Sequence, residues 1–420
     1  MNKNMNSNAV GIIAEYNPFH YGHAYHIEKA KELAQADYCV VVMSGDFVQR
    51  GAPAIYDKYT RTAMALSSGA DLVLELPSVF ASSSAEDFAA CGIALLNGLG
   101  AVGSVCFGSE CGNVENLSCI ASILATEPRA YTEQLRRELK RGATFPEARN
   151  QALISCGLLG ENEASVLASP NNILGIEYCK ALLRQKSALV PLTISRKGSG
   201  YHDTALAPGT FGSATGIRKA LKENPGILKA PGSPGNQVPE PVRQIMKQAS
   251  PLFSDDFSTL LNGALLRLSM EGIPFHQYAD VSQELASRIE KQLPDFLPFE
   301  EKIDSLKTRQ YTYTRISRAL MHIVLEISTD KVLSGRKAGF APYARVLGFK
   351  KTSAELMGQI KKRGSIPLIT KTAGVESSLK GTAGAMLRQD FYCSHIYQTV
   401  LQDKYGQKVK NEFTRSVIIL

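Results

Sequence analysis

Three histidines, His20, His23 and His26, fall within seven residues of a chain that has seven histidines in all. The first two flank Gly22 in the string His20-Tyr21-Gly22-His23. An imidazole N–H can donate to a phosphate oxygen as negative charge builds on it in a transition state. His26 follows His23 by three residues, close to one helical turn. Gly22 presents no side chain, so a ligand can approach the backbone there. One histidine in such a place would be an ordinary polar residue at a helix start; three together on one turn point to an anion site. Histidine is also a metal ligand, but no cysteine or carboxylate cluster lies nearby to complete a metal site. A second polar group is Ser213-Ala214-Thr215-Gly216-Ile217-Arg218. It reads either as helix capping alone or as a second anion point built from Ser213, Thr215 and Arg218.

These residues need elements to place them. The apolar run Ala9 to Ala14 predicts a strand, which Pro18 must end. Tyr25, Ile27, Ala30 and Leu33 then recur at helical spacing. The histidines therefore sit at a helix N-terminus, where free N–H groups and a partial positive charge suit a phosphate. Further strands are predicted at 38–43, 71–77, 104–110 and 188–195, with helices at 57–68, 85–97 and 169–184. That alternation predicts an α/β fold with a parallel sheet. Ligands bind beyond the C-terminal strand ends of such sheets, so the loops 15–23, 44–51 and 108–112 should line one crevice. Residues 113–165 read as a helical insertion carrying Arg136, Arg137, Lys140 and Arg141. A stretch rich in Pro and Gly, around 224–241, reads as a linker. It divides a nucleotide-handling domain, 1–235, from a mainly helical basic domain, 236–420. Short strands are expected near 367–370 and 417–420.

The net charge of +8 is localised. From Lys331 to Arg363 there are nine basic residues and one acid, Glu355, a surplus equal to that of the whole chain. Such a stretch is the electrostatic footprint of a nucleic-acid surface, or else a solvated basic face. Phe340, Tyr343 and Phe349 among the charges favour RNA, since aromatics stack on exposed bases. Arg345, Lys350, Lys351, Lys361 and Lys362 are the candidate RNA-binding residues. No apolar run is long enough to span a membrane, and the polar start, Met1 to Asn8, lacks the apolar core of a signal peptide. The eight cysteines are scattered, and Cys39 and Cys106 lie in apolar runs, which fits reduced thiols and a cytoplasmic setting.

The chain lacks the lysine-bearing phosphate loop G-x-x-x-x-G-K-[ST] and the G-x-G-x-x-G of dinucleotide folds. Paired histidines with a Ser/Thr/Arg point fit adenylyl transfer, in which an acceptor attacks the α-phosphate of ATP and the protein stabilises spreading charge. His20-Tyr21-Gly22-His23 with Ser213-x-Thr215-x-Ile217-Arg218 resembles the paired signature of the nucleotidylyltransferase superfamily. Longer strings are more specific: Val10 to His23, Met43 to Gly51, Asp71 to Pro77, Phe107 to Glu110 and Ser169 to Gly175. In that order they resemble the bacterial tRNA(Met) cytidine acetate ligase family, and the likeness extends into Lys337 to Lys350.

The resemblance implies a Rossmann-like fold and a defined activity. Acetate and ATP would give acetyl-adenylate and pyrophosphate, without acetyl-coenzyme A. The acetyl group would then pass to the exocyclic amine of the wobble cytidine of elongator tRNA(Met). ATP, ordinarily with Mg²⁺, would be held by Ile13, Ala14, Glu15, Tyr16, Asn17, Pro18, Phe19, His20, Tyr21, Gly22, His23, Ala24, Tyr25 and His26. Gly108, Asn171, Asn172 and Arg196 would complete the nucleotide site. His20 and His23 would stabilise the phosphates, and Ser213, Thr215 and Arg218 the pyrophosphate side. Asp46, in the second loop, is placed to orient acetate or the cytidine amine. Two rivals are a small-molecule adenylyltransferase and an RNA-binding protein with an inactive nucleotide site.

Overall fold

A computed structural model describes residues 9–195, 213–224, 237–375 and 378–420, without the side chain of Asn162. Arg196 and most of the expected linker lie outside the described residues. The strands are β1 (Ala9–Ala14), β2 (Tyr38–Ser44), β3 (Phe47–Val48), β4 (Ala52–Pro53) and β5 (Leu72–Leu76). They continue with β6 (Ser104–Ser109), β7 (Val190–Ser195), β8 (Ala344–Phe349), β9 (Leu368–Ile369) and β10 (Ile418–Ile419). One sheet runs in the order β10-β8-β5-β2-β1-β6-β7, with β9 also on β8, while β3 and β4 form a small hairpin. β1, β2, β5, β6 and β7 pair in parallel. They can do so because Val10, Ile12, Val40, Val42, Leu72 and Leu74 are fully buried, as strands covered on both faces require.

Alternation along β1 sends side chains to two cores. Ile13 packs with Phe88, Phe107 and Tyr178 on one face. Ile12 packs with Ile27 and Ala30, from the helix Tyr21–Ala34, on the other. The chain runs from β1 to β2 to β5 on one side and to β6 and β7 on the other. The sheet order therefore reverses between β1 and β6, and a crevice opens at their C-terminal ends.

The sheet takes strands from both sides of residue 235. β8 lies antiparallel to β5, and β9 and β10 pair with β8. The expected short strands near 367–370 and 417–420 are β9 and β10. β8 itself was not expected, because the basic residues around it read as a surface. Arg345, expected on an RNA surface, points inward instead and is 1% exposed. It pairs with Glu75 at 2.8 Å, off the hydrogen-bond line, and with Glu412. Lys58, equally buried, reaches Glu75 at 2.7 Å and Glu412 at 3.2 Å. Two cations and two carboxylates thus balance in the interior and tie the C-terminal segment to the sheet. Arg345 cannot meet RNA from there.

The segment after residue 236 is mainly helical, and it covers the loops at the sheet's C-terminal end. In the helix Tyr313–Val324, the Ser317 hydroxyl donates to the Gly51 carbonyl at 2.8 Å. Gly51 has φ +73°, and an added Cβ would lie 2.3 Å from the Arg318 nitrogen, so both backbone and neighbour demand glycine.

Candidate active site

At the crevice, β1 ends in a turn whose residue Tyr16 is left-handed, φ 47°. The helix Tyr21–Ala34 then begins with His20 as its N-cap. His20 Nδ1 accepts from the Gly22 nitrogen at 3.0 Å, and His23 Nδ1 accepts from the His20 nitrogen at 3.2 Å. With Nδ1 accepting, a neutral imidazole carries its proton on Nε2. The two rings stack with centroids 3.7 Å apart, so they form one fixed unit. A Cβ at Gly22 would stand 2.8 Å from the His20 ring, so any larger residue here would push that ring out of place. His20, His23 and His26 all line a cleft of about 330 Å³, a size suited to a small ligand.

The helix Ala214–Glu223 supplies the second anion point. Ser213 caps it by accepting from the Gly216 nitrogen at 3.0 Å. Arg218 donates to the Asn17 carbonyl at 2.6 Å and to the Thr215 hydroxyl at 3.1 Å. It thereby joins this helix to the histidine loop. Burial, with Arg50 nearby, pulls its pKa down to about 10, which still leaves it charged at neutral pH. Ser213, Thr215 and Arg218 line the cleft with the histidines. Behind them the buried Arg61 fastens the strand ends. It donates to the carbonyls of Glu15 at 2.6 Å, Ser44 at 3.1 Å and Tyr56 at 2.9 Å. Sequence reasoning missed Arg61, because a charge inside a helix reads as surface.

The opposite wall is more apolar. Ile13, Ala85, Phe88, Phe107, Leu174 and Tyr178 line it. Tyr178 is 2% exposed, and its hydroxyl has no hydrogen-bond partner among the described residues. Gln49 and Arg50 complete the rim. Both lie inside the string Met43 to Gly51, so a signal for them was present. The three loops expected to share a crevice do so through Glu15, Gln49 and Gly108.

Most of the residues predicted for the nucleotide site reach the cleft. Ile13, Ala14, Glu15, Tyr16, Asn17, Tyr25, Gly108 and Asn171 line it beside those already described. Pro18, Phe19, Tyr21, Ala24, Asn172 and Asp46 do not. Phe19 is fully buried against Tyr16, and Tyr21 faces solvent. Asn172 uses its side-chain oxygen to accept from the Glu110 and Cys111 nitrogens, at 2.9 and 3.0 Å. It secures the end of β6. Asp46, expected to orient a substrate, is buried and accepts from the Lys58 nitrogen at 2.8 Å. Burial pushes its pKa up to about 6. It fastens the β3–β4 hairpin to the next helix, away from the cleft.

The lysines of the basic stretch lie at the other end of the sheet. β8 runs against β5, so its end at Phe349 lies beside Leu72, where β5 begins. The Lys350 nitrogen donates to the Asp71 carbonyl at 3.0 Å. Lys361 and Lys362 end the helix Ala354–Arg363, after which the Ser365 nitrogen donates to the Gly98 carbonyl at 2.8 Å. Lys351, Lys361 and Lys362 are exposed there, at the sheet end opposite the cleft. No helix among the described residues is long and apolar enough to cross a membrane.

A family model described as HIGH Nucleotidyl Transferase matches residues 7–412. The tRNA(Met) cytidine acetate ligase of Acetivibrio thermocellus is 38% identical over 98% of this chain and 99% of its own. That of Clostridium novyi is 41% identical over 94% of this chain and 95% of its own. Among solved structures, apo TmcAL of Thermotoga maritima superposes with TM-score 0.91 at 31% identity, covering 98% of this chain and 99% of its own. The same protein bound with alpha-thio ATP gives 0.87 at 30% identity, with the same coverage.

Proposed function

Since this chain belongs to the tRNA(Met) cytidine acetate ligase family of HIGH nucleotidyl transferases, we propose that it joins acetate to the wobble cytidine of elongator tRNA(Met) at the expense of ATP. ATP, as its magnesium complex, enters the cleft with its phosphates toward His20, His23, Thr215 and Arg218. An acetate oxygen attacks the α-phosphorus, the bond to the β-phosphate oxygen breaks, and pyrophosphate leaves. The Nε2 donors of the two histidines and the Arg218 fork meet the charge that builds on the phosphates. The cytidine amine then attacks the acetyl carbon of acetyl-adenylate, and AMP departs.

The observation that carries this reading is the stacked His20–His23 pair, whose Nδ1 atoms are both committed to backbone N–H groups beside the Arg218 fork. No group of three or more His, Cys, Asp and Glu side chains among the described residues could hold a metal. The described side chains therefore do not fit a resident metal ion, and magnesium would arrive with ATP. The tRNA anticodon approaches the cleft mouth, while Lys351, Lys361 and Lys362 reach a more distant part of the tRNA body. Functionally, residues 1–235 supply the nucleotide groups and 236–420 the covering helices and RNA contacts. The test is to incubate tRNA(Met) with labelled acetate, ATP and the protein, and to digest the product. Label recovered as N4-acetylcytidine supports the reading; ATP turnover with no label in tRNA would sink it.

A further inference from the structure

Among the described residues lining the cleft there is one carboxylate, Glu15. Its Oε1 accepts from the Gln49 nitrogen at 2.9 Å. Its Oε2 makes no hydrogen bond within the described residues, and the residue is half-buried where it lines the cleft. It lines the same cleft as Arg218 on one wall and Tyr178 on the other. ATP and acetate are anions, and a carboxylate repels both. Of the groups that react in the proposed function, one carries N–H bonds, the exocyclic amine of cytosine. Carboxylates accept from that amine when proteins read cytosine.

The strand geometry places the carboxylate accordingly. Glu15 stands one residue past β1 and holds the Gln49 nitrogen, and the Gln49 side chain donates to the Ser83 carbonyl at 3.1 Å, just before the helix whose Phe88 packs with Ile13 and Tyr178 on one face of the sheet. The histidine helix packs on the opposite face, with Ile27 and Ala30. An acetyl-adenylate lying across the end of β1 would turn its phosphate to the histidines and Arg218. Its methyl would face Ile13, Phe88 and Tyr178, and its acyl carbon would lie within reach of Glu15.

We propose that Glu15, rather than holding ATP, receives the cytosine amine and is the base of the acyl-transfer step. This rests on the ligase reading above. Oε2 accepts one N4 hydrogen and so aims the nitrogen at the acetyl carbon. As the N4–carbon bond forms, the carbon–oxygen bond to AMP breaks and its electron pair leaves on the phosphate. The N4 proton passes to Oε2 and then to water, so no further reactant is needed.

Glu15→Gln is the informative variant, because its amide oxygen still accepts from the Gln49 nitrogen and holds the loop. Glu15→Asp keeps the charge but withdraws it by one methylene. Two half-reactions are measured on each full-length protein. One is acetate-dependent exchange of pyrophosphate into ATP without tRNA. The other is single-turnover transfer from preformed acetyl-adenylate to tRNA(Met). The expected result for Glu15→Gln is a loss of about 100-fold or more in transfer, the scale of a positioned base, with exchange falling far less. Glu15→Asp should be intermediate in transfer. Exchange falling as far as transfer, or recovering with added Mg²⁺, would assign the carboxylate to the ATP half and overturn the proposal. Unchanged transfer in both variants would overturn it too. Wild-type protein that neither exchanges nor transfers would instead defeat the ligase reading beneath it.

Discussion

Replacing Arg345 with methionine separates two accounts of the basic stretch. If Arg345 faced RNA, Arg345→Met would weaken tRNA binding and leave stability alone. The structure assigns the reverse. Arg345 lies in the interior against Glu75 and Glu412, neither more than 2% exposed. Methionine fills much of the volume but leaves two buried carboxylates facing Lys58 alone. Removing one partner of a buried ion pair costs about 3–5 kcal/mol. For 420 residues, an unfolding entropy of about 2.1 cal/mol/K per residue turns that into a fall in Tm of roughly 3–6 °C. The loss should depend on pH in a defined sense. Lys58 and Arg345 hold the Glu412 carboxyl down at about 2 against the cost of its burial. A depressed carboxyl contributes stability that is complete above its unfolded value of 4.5 and is lost as pH falls toward 2. The penalty of Arg345→Met should therefore be full at pH 7 and shrink across that acidic window. Thermal melts monitored by circular dichroism over pH 3 to 7, beside filter binding of tRNA at pH 7, read both quantities. An unchanged Tm with weakened tRNA binding would refute the buried-network argument.

Asp46 gives the opposite pH dependence. Its raised pKa, about 6 against 3.8, means that the folded state holds its proton more tightly. That contribution is present below 3.8 and lost as pH rises through 6, so Asp46→Asn should flatten the decline in Tm between those values. A decline left as steep as in wild type would contradict this. Arg218→Lys cannot hold the Asn17 carbonyl and the Thr215 hydroxyl together, so kcat/KM for ATP in acetate-dependent exchange should fall at least about tenfold; an unchanged value would remove Arg218 from the phosphate site. Replacing Lys351, Lys361 and Lys362 together with alanine should weaken tRNA binding, with a shallower salt dependence by up to about three counterions. It should leave acetate-dependent exchange intact, and an unaltered salt slope would place the RNA surface elsewhere.

The part of the fold that holds the cleft could be read from the chain because local signals agreed there. An apolar run, a proline, a glycine between histidines and a helical stripe all point to one strand-loop-helix unit. Tertiary burial of charge left no such trace. Arg345, Lys58 and Arg61 read as surface cations, and partners that decide their burial lie far away in sequence: Glu75 for Arg345, Glu412 for Lys58 and the Glu15 carbonyl for Arg61. Asp46 sat in the right loop but on its buried side, because the β3–β4 hairpin turns it toward the Lys58 nitrogen. Tyr178 reads as an ordinary core aromatic within its helix. Its place in the cleft wall emerges only when Phe107 and the start of the helix Ala85–Leu99 are brought beside it. The lysines after β8 were recognised as exposed cations, but their distance from the cleft follows from β8 running antiparallel, which periodicity does not report.

The most direct test of the account is exchange of labelled pyrophosphate into ATP by the purified protein in the absence of tRNA. Exchange that requires acetate, and that His23→Ala abolishes while tRNA binding persists, is the predicted result. Exchange indifferent to acetate, or equally fast after the histidine is removed, would contradict it.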